Sequence, residues 1–122
     1  MKLLLDTSAL IRWHAGTLRP QAVRLIERAP FVAVSPVSAW EIAIKRAIGK
    51  LRFADSVEDV AGRYGFDELP VTLRHADLVR DLPTHHGDPF DRLLIVQALD
   101  EGFTILTSDR VFEAYRVPVA WA

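Results

Sequence analysis

Residues 87–109 read GDPFDRLLIVQALDEGFTILTSD and contain one helix, one turn and one strand. Asp88 has the side chain of a helix N-cap, and Asp91 places a negative charge at the positive end of the helix dipole. After a closing glycine, the apolar run FTIL predicts a buried strand, which leads into Ser-Asp. The stretch therefore predicts a helix followed by a strand, with Asp91 at the start of the helix and Asp109 just after the strand.

The rest of the chain repeats this alternation of short apolar runs and helix-period segments. The predicted extended pieces are KLLLD (2–6), PFVAVSP (30–36), FDELPV (66–71) and VPVAW (117–121). The predicted helices are DTSALIRWH (6–14), LRPQAVRLIERA (18–29), SAWEIAIKRAIG (38–49), SVEDVAGRYG (56–65), TLRHADLVRDL (72–82) and DRVFEAY (109–115). Such alternation predicts an α/β fold, with a mostly parallel central sheet of about four to five strands flanked by helices.

The composition limits the possible functions. The chain has 122 residues, 50% of them hydrophobic, which suits one compact domain spanning residues 1–122. Without cysteine it has no disulfides, thiolate catalysis or cysteine-bound zinc. A net charge of −1 gives no global positive field for nucleic acid, so any such contact would be local. One local candidate is the basic cluster IKRAIGKLR (44–52), with Lys45, Arg46, Lys50 and Arg52, although a solvated helix face with a basic C-terminal turn is the favoured interpretation. With no signal peptide or membrane-spanning run, we expect a cytoplasmic protein that does not contact a membrane.

Four acids follow strands or begin helices: Asp6, Glu41, Asp91 and Asp109. Each also has a purely structural explanation, since helix caps favour such residues; Glu41 stands three residues after Ser38, the spacing of a capping box. In a parallel sheet, however, the strand ends and helix starts lie at one edge, so the four carboxylates could meet there. Carboxylates brought together need protons or a cation, and an all-oxygen donor set suits Mg²⁺ or Mn²⁺. Such a site could promote in-line displacement at a phosphodiester.

Four segments together carry a family resemblance. LLLDTSAL, SAWEIAIKRAIGKL, HHGDPFDRLLIVQA and ILTSD, in this order and spacing, resemble the PIN-domain ribonucleases, and most closely the VapC-type toxins of prokaryotic toxin–antitoxin pairs. The resemblance extends from Met1 to Trp121. It implies a single PIN-like domain and a metal-dependent endoribonuclease that hydrolyses RNA at a site holding Mg²⁺, with Mn²⁺ possible. It also implies a VapB-type antitoxin and a homodimer.

The resemblance implies roles for particular residues. The family's metal-binding acids fall on Asp6, Glu41, Asp91 and Asp109, with Thr7 and Ser108 as supporting hydroxyls, and His86 matches a recurring histidine of the pattern. Asp88 is interpreted as a helix cap, and its closeness to Asp91 leaves open a role around the metal without direct ligation. For His85 a solvated loop is expected, and for Lys45 an ion pair with Glu41 competes with a role facing the substrate.

Other interpretations remain at this stage. The chain lacks the central aspartate and the late lysine of a receiver domain, and it lacks the second aspartate of aspartyl phosphatases, which would stand at Ser8. The alternative is a catalytically silent PIN fold that binds RNA or a protein partner. Trp13, Trp40 and Trp121 have apolar neighbours and are expected in the core, while His14 and His75 are expected to be structural or exposed.

Overall fold

The computed structural model describes residues 1–122 and contains the predicted alternation of strands and helices. The strands are β1 (Lys2–Leu5), β2 (Phe31–Val34), β3 (Asp67–Glu68), β4 (Thr104–Thr107) and β5 (Val119–Trp121). The α-helices are α1 (Thr7–Ala15), α2 (Pro20–Arg28), α3 (Pro36–Ala47), α4 (Val57–Tyr64), α5 (Leu73–Leu78) and α6 (Pro89–Glu101). Two 3-10 helices span Val79–Asp81 and Arg110–Tyr115.

The five strands form one sheet in the order β3-β2-β1-β4-β5, and every neighbouring pair is parallel. The prediction of an α/β fold with a mostly parallel sheet is confirmed. From β1 the chain moves outward through β2 to β3, then returns to the other side of β1 to build β4 and β5. The direction of winding therefore reverses between β1 and β4, and ligands of open α/β sheets bind outside the carboxyl ends of the strands at such a point.

Helices cover both faces of the sheet because alternate strand residues point to opposite sides. On one face, Leu3 and Leu5 of β1 pack in a cluster with residues of α1, α2 and α4. On the other face, Leu4 packs with Leu94 and Ile95 of α6 and with the 3-10 helix at Arg110–Tyr115. Strand β1 is thus buried from both sides, so the residue that follows it is held in place by two layers of core.

The predicted start of α3 was wrong by three residues. Ser38 was expected to be the N-cap and to form a capping box with Glu41, but the helix begins at Pro36 and its N-cap is Ser35, whose hydroxyl accepts from the Val37 amide at 3.1 Å. Proline fits the first helical position, so Ser35-Pro36 is the better start. Ser38 lies within the first turn, fully buried, and Glu41 lies one turn further along.

The tryptophan prediction held in part. Trp13 is half-buried and packs against the core beside α4, and Trp121 is half-buried under the Arg110 guanidinium. Trp40 is not in the core: it is 58% exposed and contacts Phe90 edge to face. Apolar neighbours in sequence did not predict burial here, because α3 turns this position away from the sheet.

None of the helices has the length and apolar character that crossing a bilayer requires.

Candidate active site

Asp6 is the most buried acidic residue of the chain. It follows β1 at the centre of the sheet, is 5% exposed, and caps α1 by accepting from the Ala9 amide at Oδ1 (2.8 Å). Its other oxygen, Oδ2, accepts from the Thr107 hydroxyl at 2.6 Å. Burial raises the pKa of Asp6 above its usual value, because removing a carboxylate from water disfavours its charged form; the two hydrogen bonds oppose that effect. A fixed, desolvated carboxylate of this kind is a strong acceptor for a cation.

Thr107 is a site residue that the sequence reasoning missed. It ends β4, is fully buried, donates to Asp6 and accepts from the Asp109 amide at 3.0 Å. One hydroxyl therefore ties the acid after β1 to the segment that carries the acid after β4. The available signal was a threonine ending the apolar run of β4, directly before Ser108 and Asp109.

Glu41 reaches the site from α3. It is 6% exposed, and its Oε2 accepts from the Lys45 ammonium at 2.6 Å, one helical turn further on. The ion pair, one of the two roles considered for Lys45, is present, and Lys45 also lines the cleft. The hydrogen bond to Glu41 raises the pKa of Lys45 above its usual value. Nearby, the Thr7 hydroxyl donates to that of Ser38 at 3.0 Å, so the predicted supporting hydroxyl joins the start of α1 to α3.

Asp91 lies in the first turn of α6, as predicted, and Asp88 is the N-cap, accepting from the amides of Phe90 (2.8 Å) and Asp91 (3.1 Å). The Nε2 of His86 is 2.9 Å from Asp91 Oδ2, so the expected association of His86 with the site is present. Burial raises the pKa of Asp91 to about 6; the His86 hydrogen bond lowers it, while the charges of Asp88, Asp6 and Glu41 raise it further. The shift is that of a carboxylate removed from water and surrounded by other acids.

The loop before α6 is pinned by Arg92. Its guanidinium donates to the carbonyls of Pro83 (2.8 Å) and Leu82 (3.2 Å) and to the Tyr115 hydroxyl (3.2 Å). That hydroxyl in turn donates to the carbonyl of His86 at 3.3 Å and accepts from the His85 amide at 3.1 Å. The His86 backbone is therefore held by partly buried hydrogen bonds. His85 is exposed and stacks edge to face on Tyr115, as expected of a loop residue.

A buried polar network fixes α3 relative to α6. Gln97 of α6 is fully buried; its Oε1 accepts from the Ser35 hydroxyl at 2.6 Å, and its Nε2 donates to the carbonyls of Leu69 and Pro70. Satisfied polar groups in a core specify one arrangement of the elements that carry them. The network thus sets the relative placement of Glu41 and Asp91, which lie on those two helices.

Asp109 is the most exposed of the four acids. It follows β4 and caps the 3-10 helix by accepting from the Val111 amide at 3.0 Å. Ser108, the other predicted supporting hydroxyl, is exposed and accepts from the Arg12 guanidinium at 3.4 Å. Both residues face the same opening as Asp6.

All four predicted acids line one open cleft of about 810 Å³ at the carboxyl ends of the strands. Thr7, Ser8, Ser108 and Asp88 share its wall, and its three cations are Lys45, Lys50 and Arg110. His86 is absent from this wall and reaches the site through Asp91. The acids surround the cleft without closing into a tight group: among them, only Asp91 belongs to a set of three ligand atoms within 4.8 Å, together with His86 and Asp88.

A second group of possible metal ligands lies at the other end of α6 and has a structural explanation. His75 Nε2 is 3.4 Å from Asp100 and 3.8 Å from Glu101. However, the Thr72 amide donates to His75 Nδ1 at 3.1 Å, closing a capping box at the start of α5. Neutral imidazole then carries its proton on Nε2, which leaves no lone pair there for a metal. His75 is therefore structural, and so is His14, which binds Asp55 at 2.8 Å.

Comparison with known proteins places this geometry in a family. The PIN domain profile matches residues 3–118. Ribonuclease VapC22 of Mycobacterium tuberculosis is 30% identical over 125 residues, covering 94% of this chain and 92% of that protein.

Solved structures with the same fold include VapBC2 from Rickettsia felis bound to a promoter DNA fragment, with a TM-score of 0.71 and 14% identity. Another is DNA-bound VapBC from Salmonella typhimurium, with a TM-score of 0.68 and 17% identity. Both alignments cover 99% of this chain and 98% of the other. Nucleases of the PIN family depend on divalent metal. The matched span, the VapC relative and the acid-lined cleft at the switch between β1 and β4 together show that this chain belongs to the PIN-domain family, among its VapC-type ribonucleases.

Proposed function

We propose that this protein is the toxin of a toxin–antitoxin pair and hydrolyses RNA phosphodiester bonds at the cleft formed by Asp6, Glu41, Asp91 and Asp109. The observation that carries the proposal is Asp6: a carboxylate 5% exposed, held by Thr107 and the Ala9 amide at the centre of the sheet. No structural need for a cap requires burial this deep, since Asp88 and Asp109 cap helices at more exposed positions.

The donor set fits a hard divalent cation. The cleft offers carboxylate and hydroxyl oxygens and no thiolate, which suits Mg²⁺ and also Mn²⁺. The raised pKa values of Asp6 and Asp91 point the same way, because both carboxylates are desolvated and neither is paired with a lysine or arginine. Asp6 and Asp91 are the first candidates for direct ligands; Glu41 would first have to exchange its contact with Lys45.

The chain's own residues supply the remaining chemistry. When bound, a divalent ion supplies Lewis acidity toward phosphoryl oxygens and lowers the pKa of a water molecule. Thr107 keeps Asp6 in one orientation, and the Nε2–H of His86 does the same for Asp91. The openness of the cleft leaves room for an extended RNA strand to cross it.

The experiment that tests this function is cleavage of a mixed RNA pool by purified protein. Cleavage should require Mg²⁺ or Mn²⁺, stop in EDTA and return on adding excess metal. Undiminished cleavage in EDTA would contradict the metal assignment. Absence of cleavage under all metal conditions would favour a silent PIN fold that only binds RNA or a partner.

The toxin role adds a partner and an assembly. VapBC pairs are among the structures that share this fold, and by extension we assign this chain a VapB-type antitoxin and a homodimer in the cytoplasm. An exposed apolar stripe along α3 and its C-cap supports association; it is formed by Trp40, Ile44 and the cap residue Ile48, at four-residue spacing. Expression of the chain alone should arrest growth, and co-expression of its antitoxin should relieve the arrest. Expression of Asp6→Asn should not affect growth. Normal growth with abundant soluble wild-type protein would contradict the toxin role. A monomeric mass in light scattering would contradict the homodimer.

A further inference from the structure

Lys50 is the one cation of the cleft that has no partner in the protein. Lys45 is bound to Glu41 at 2.6 Å. Arg110 pairs with Glu113 at 3.4 Å and covers the Trp121 ring at 4.5 Å. The side chain of Lys50 makes no hydrogen bond or ion pair, although it lines a cleft with five acids: Asp6, Glu41, Asp88, Asp91 and Asp109.

The end of α3 fixes where Lys50 stands. The Gly49 amide donates to the Arg46 carbonyl (3.1 Å) and the Lys50 amide to the Lys45 carbonyl (2.9 Å), which is the hydrogen-bond pattern of a Schellman motif. Gly49 has φ +74°, a conformation that glycine adopts without the strain of a Cβ. Leu51 then packs against the core, so the chain is held on both sides of Lys50.

This placement is unusual for the motif. The residue after the left-handed glycine commonly makes an apolar contact with the last turn of the helix, and here that position carries a lysine. The turn therefore places a positive charge on the cleft wall, at a position that commonly packs an apolar side chain against the helix. The basic cluster at 44–52 is solvated as expected, since Arg46, Lys50 and Arg52 are all exposed. Of these three, only Lys50 lines the cleft, which leaves it as the one that can serve the local contact with nucleic acid.

We infer that Lys50 binds a backbone phosphate of the RNA held in the cleft and so positions the strand for cutting. This rests on the proposed function. A protein with net charge −1 and an acid-lined cleft repels RNA at its own active site, so local cations must offset that repulsion. Lysine binds phosphate as a point charge and carries no sequence preference in doing so. Lys50 is thus a positioning residue, and its effect belongs to substrate binding.

The test is steady-state cleavage of a single-stranded RNA oligonucleotide by wild type, Lys50→Gln and Lys50→Arg at several salt concentrations and fixed Mg²⁺. For Lys50→Gln we expect KM to rise roughly three- to tenfold with kcat nearly unchanged, and the slope of log(kcat/KM) against log[salt] to weaken by about 0.7, the value for one contact to a single strand. Lys50→Arg should restore both. Arg52→Gln is the matched control: it removes the same charge two residues away, outside the cleft, and should leave the slope closer to wild type.

A second measurement identifies the contact directly. Oligonucleotides with a single neutral methylphosphonate at successive positions should each be compared in wild type and Lys50→Gln. At one position the neutral linkage should weaken the wild type and have no further effect on Lys50→Gln. Equal losses at every position, equal salt slopes for Lys50→Gln and Arg52→Gln, or a fall in kcat with unchanged KM would overturn the inference while leaving the proposed function intact. Failure of the wild type to cleave RNA would remove the proposed function itself, and this inference with it.

Discussion

Replacing Asp91 with asparagine tests whether Asp91 is a metal ligand or only complements the start of α6. Asparagine keeps the shape of the side chain and can still accept the hydrogen bond from His86 at Oδ1, but it carries no charge. If Asp91 only complements the helix dipole, Asp91→Asn should cost about 0.3–1 kcal/mol of stability and leave activity unchanged.

The raised pKa of Asp91 instead predicts that Asp91→Asn stabilises the metal-free protein. Asp91 has a pKa of about 6 against a reference of 3.8, so the folded state binds its proton more tightly than the unfolded state does. Ionisation of Asp91 then lowers the free energy of unfolding as pH rises from about 4 through about 6, and above that range the full penalty is present. A shift of this size corresponds to about 3 kcal/mol at most, and partial exposure to solvent reduces it to roughly 1–2 kcal/mol.

Subtracting the lost dipole interaction leaves Asp91→Asn roughly 1 kcal/mol more stable than wild type at pH 7.5 in EDTA, or a melting temperature about 3–5 °C higher. At pH 4 this advantage should vanish, because Asp91 is then largely protonated. Activity should fall about 100-fold or more, since metal stabilisation of the transition state is worth several kcal/mol. Thermal melts in EDTA at both pH values, beside cleavage assays with Mg²⁺, provide the measurement. A destabilised mutant with normal activity would refute the reasoning.

Two further substitutions test the residues that hold the acids. Thr107→Val keeps the shape of a fully buried side chain but leaves Asp6 Oδ2 without its hydrogen-bond donor. We expect the free energy of unfolding to fall by about 1–3 kcal/mol in denaturant titrations, and metal affinity to weaken about 10- to 100-fold by titration calorimetry. Unchanged metal affinity would show that Thr107 is only structural. His86→Ala removes the hydrogen bond that lowers the pKa of Asp91. NMR titration of the metal-free proteins should therefore give a higher Asp91 pKa in His86→Ala than in wild type, and an equal or lower value would contradict the assigned contact.

The sequence predicted the architecture well because its signals were local. The polar cap residues Asp6, Asp88 and Asp109 precede their helices as expected, and apolar runs mark the buried strands. Parallel topology indicated that the four acids could meet at one edge of the sheet, and in the structure all four line the cleft there. For Glu41 the argument used a helix start that was wrong by three residues.

The predictions that were wrong or missing depended on a choice between two similar local signals or on tertiary contacts. Ser35 and Ser38 are both good caps, and Pro36 decided between them. The exposure of Trp40 could not be predicted from its apolar neighbours in sequence, because the orientation of α3 depends on contacts such as that of Ser35 with Gln97, far along the chain. The contact of Thr107 with Asp6 depends on the pairing of β1 with β4, which no local pattern shows. Lys50 could be named as part of a basic cluster, but its place on the cleft wall depends on where α3 ends in the fold.

The central claim is that Asp6 anchors a divalent metal on which RNA cleavage depends. The most direct measurement is a Mn²⁺ titration followed by electron paramagnetic resonance, comparing wild type with Asp6→Asn and with Asp59→Asn, an exposed aspartate of α4 outside the cleft. Wild type and Asp59→Asn should bind Mn²⁺ alike and cleave RNA in proportion to occupancy, whereas Asp6→Asn should bind at least about tenfold more weakly and lose cleavage. Equal Mn²⁺ binding and equal cleavage by wild type and Asp6→Asn would contradict the account.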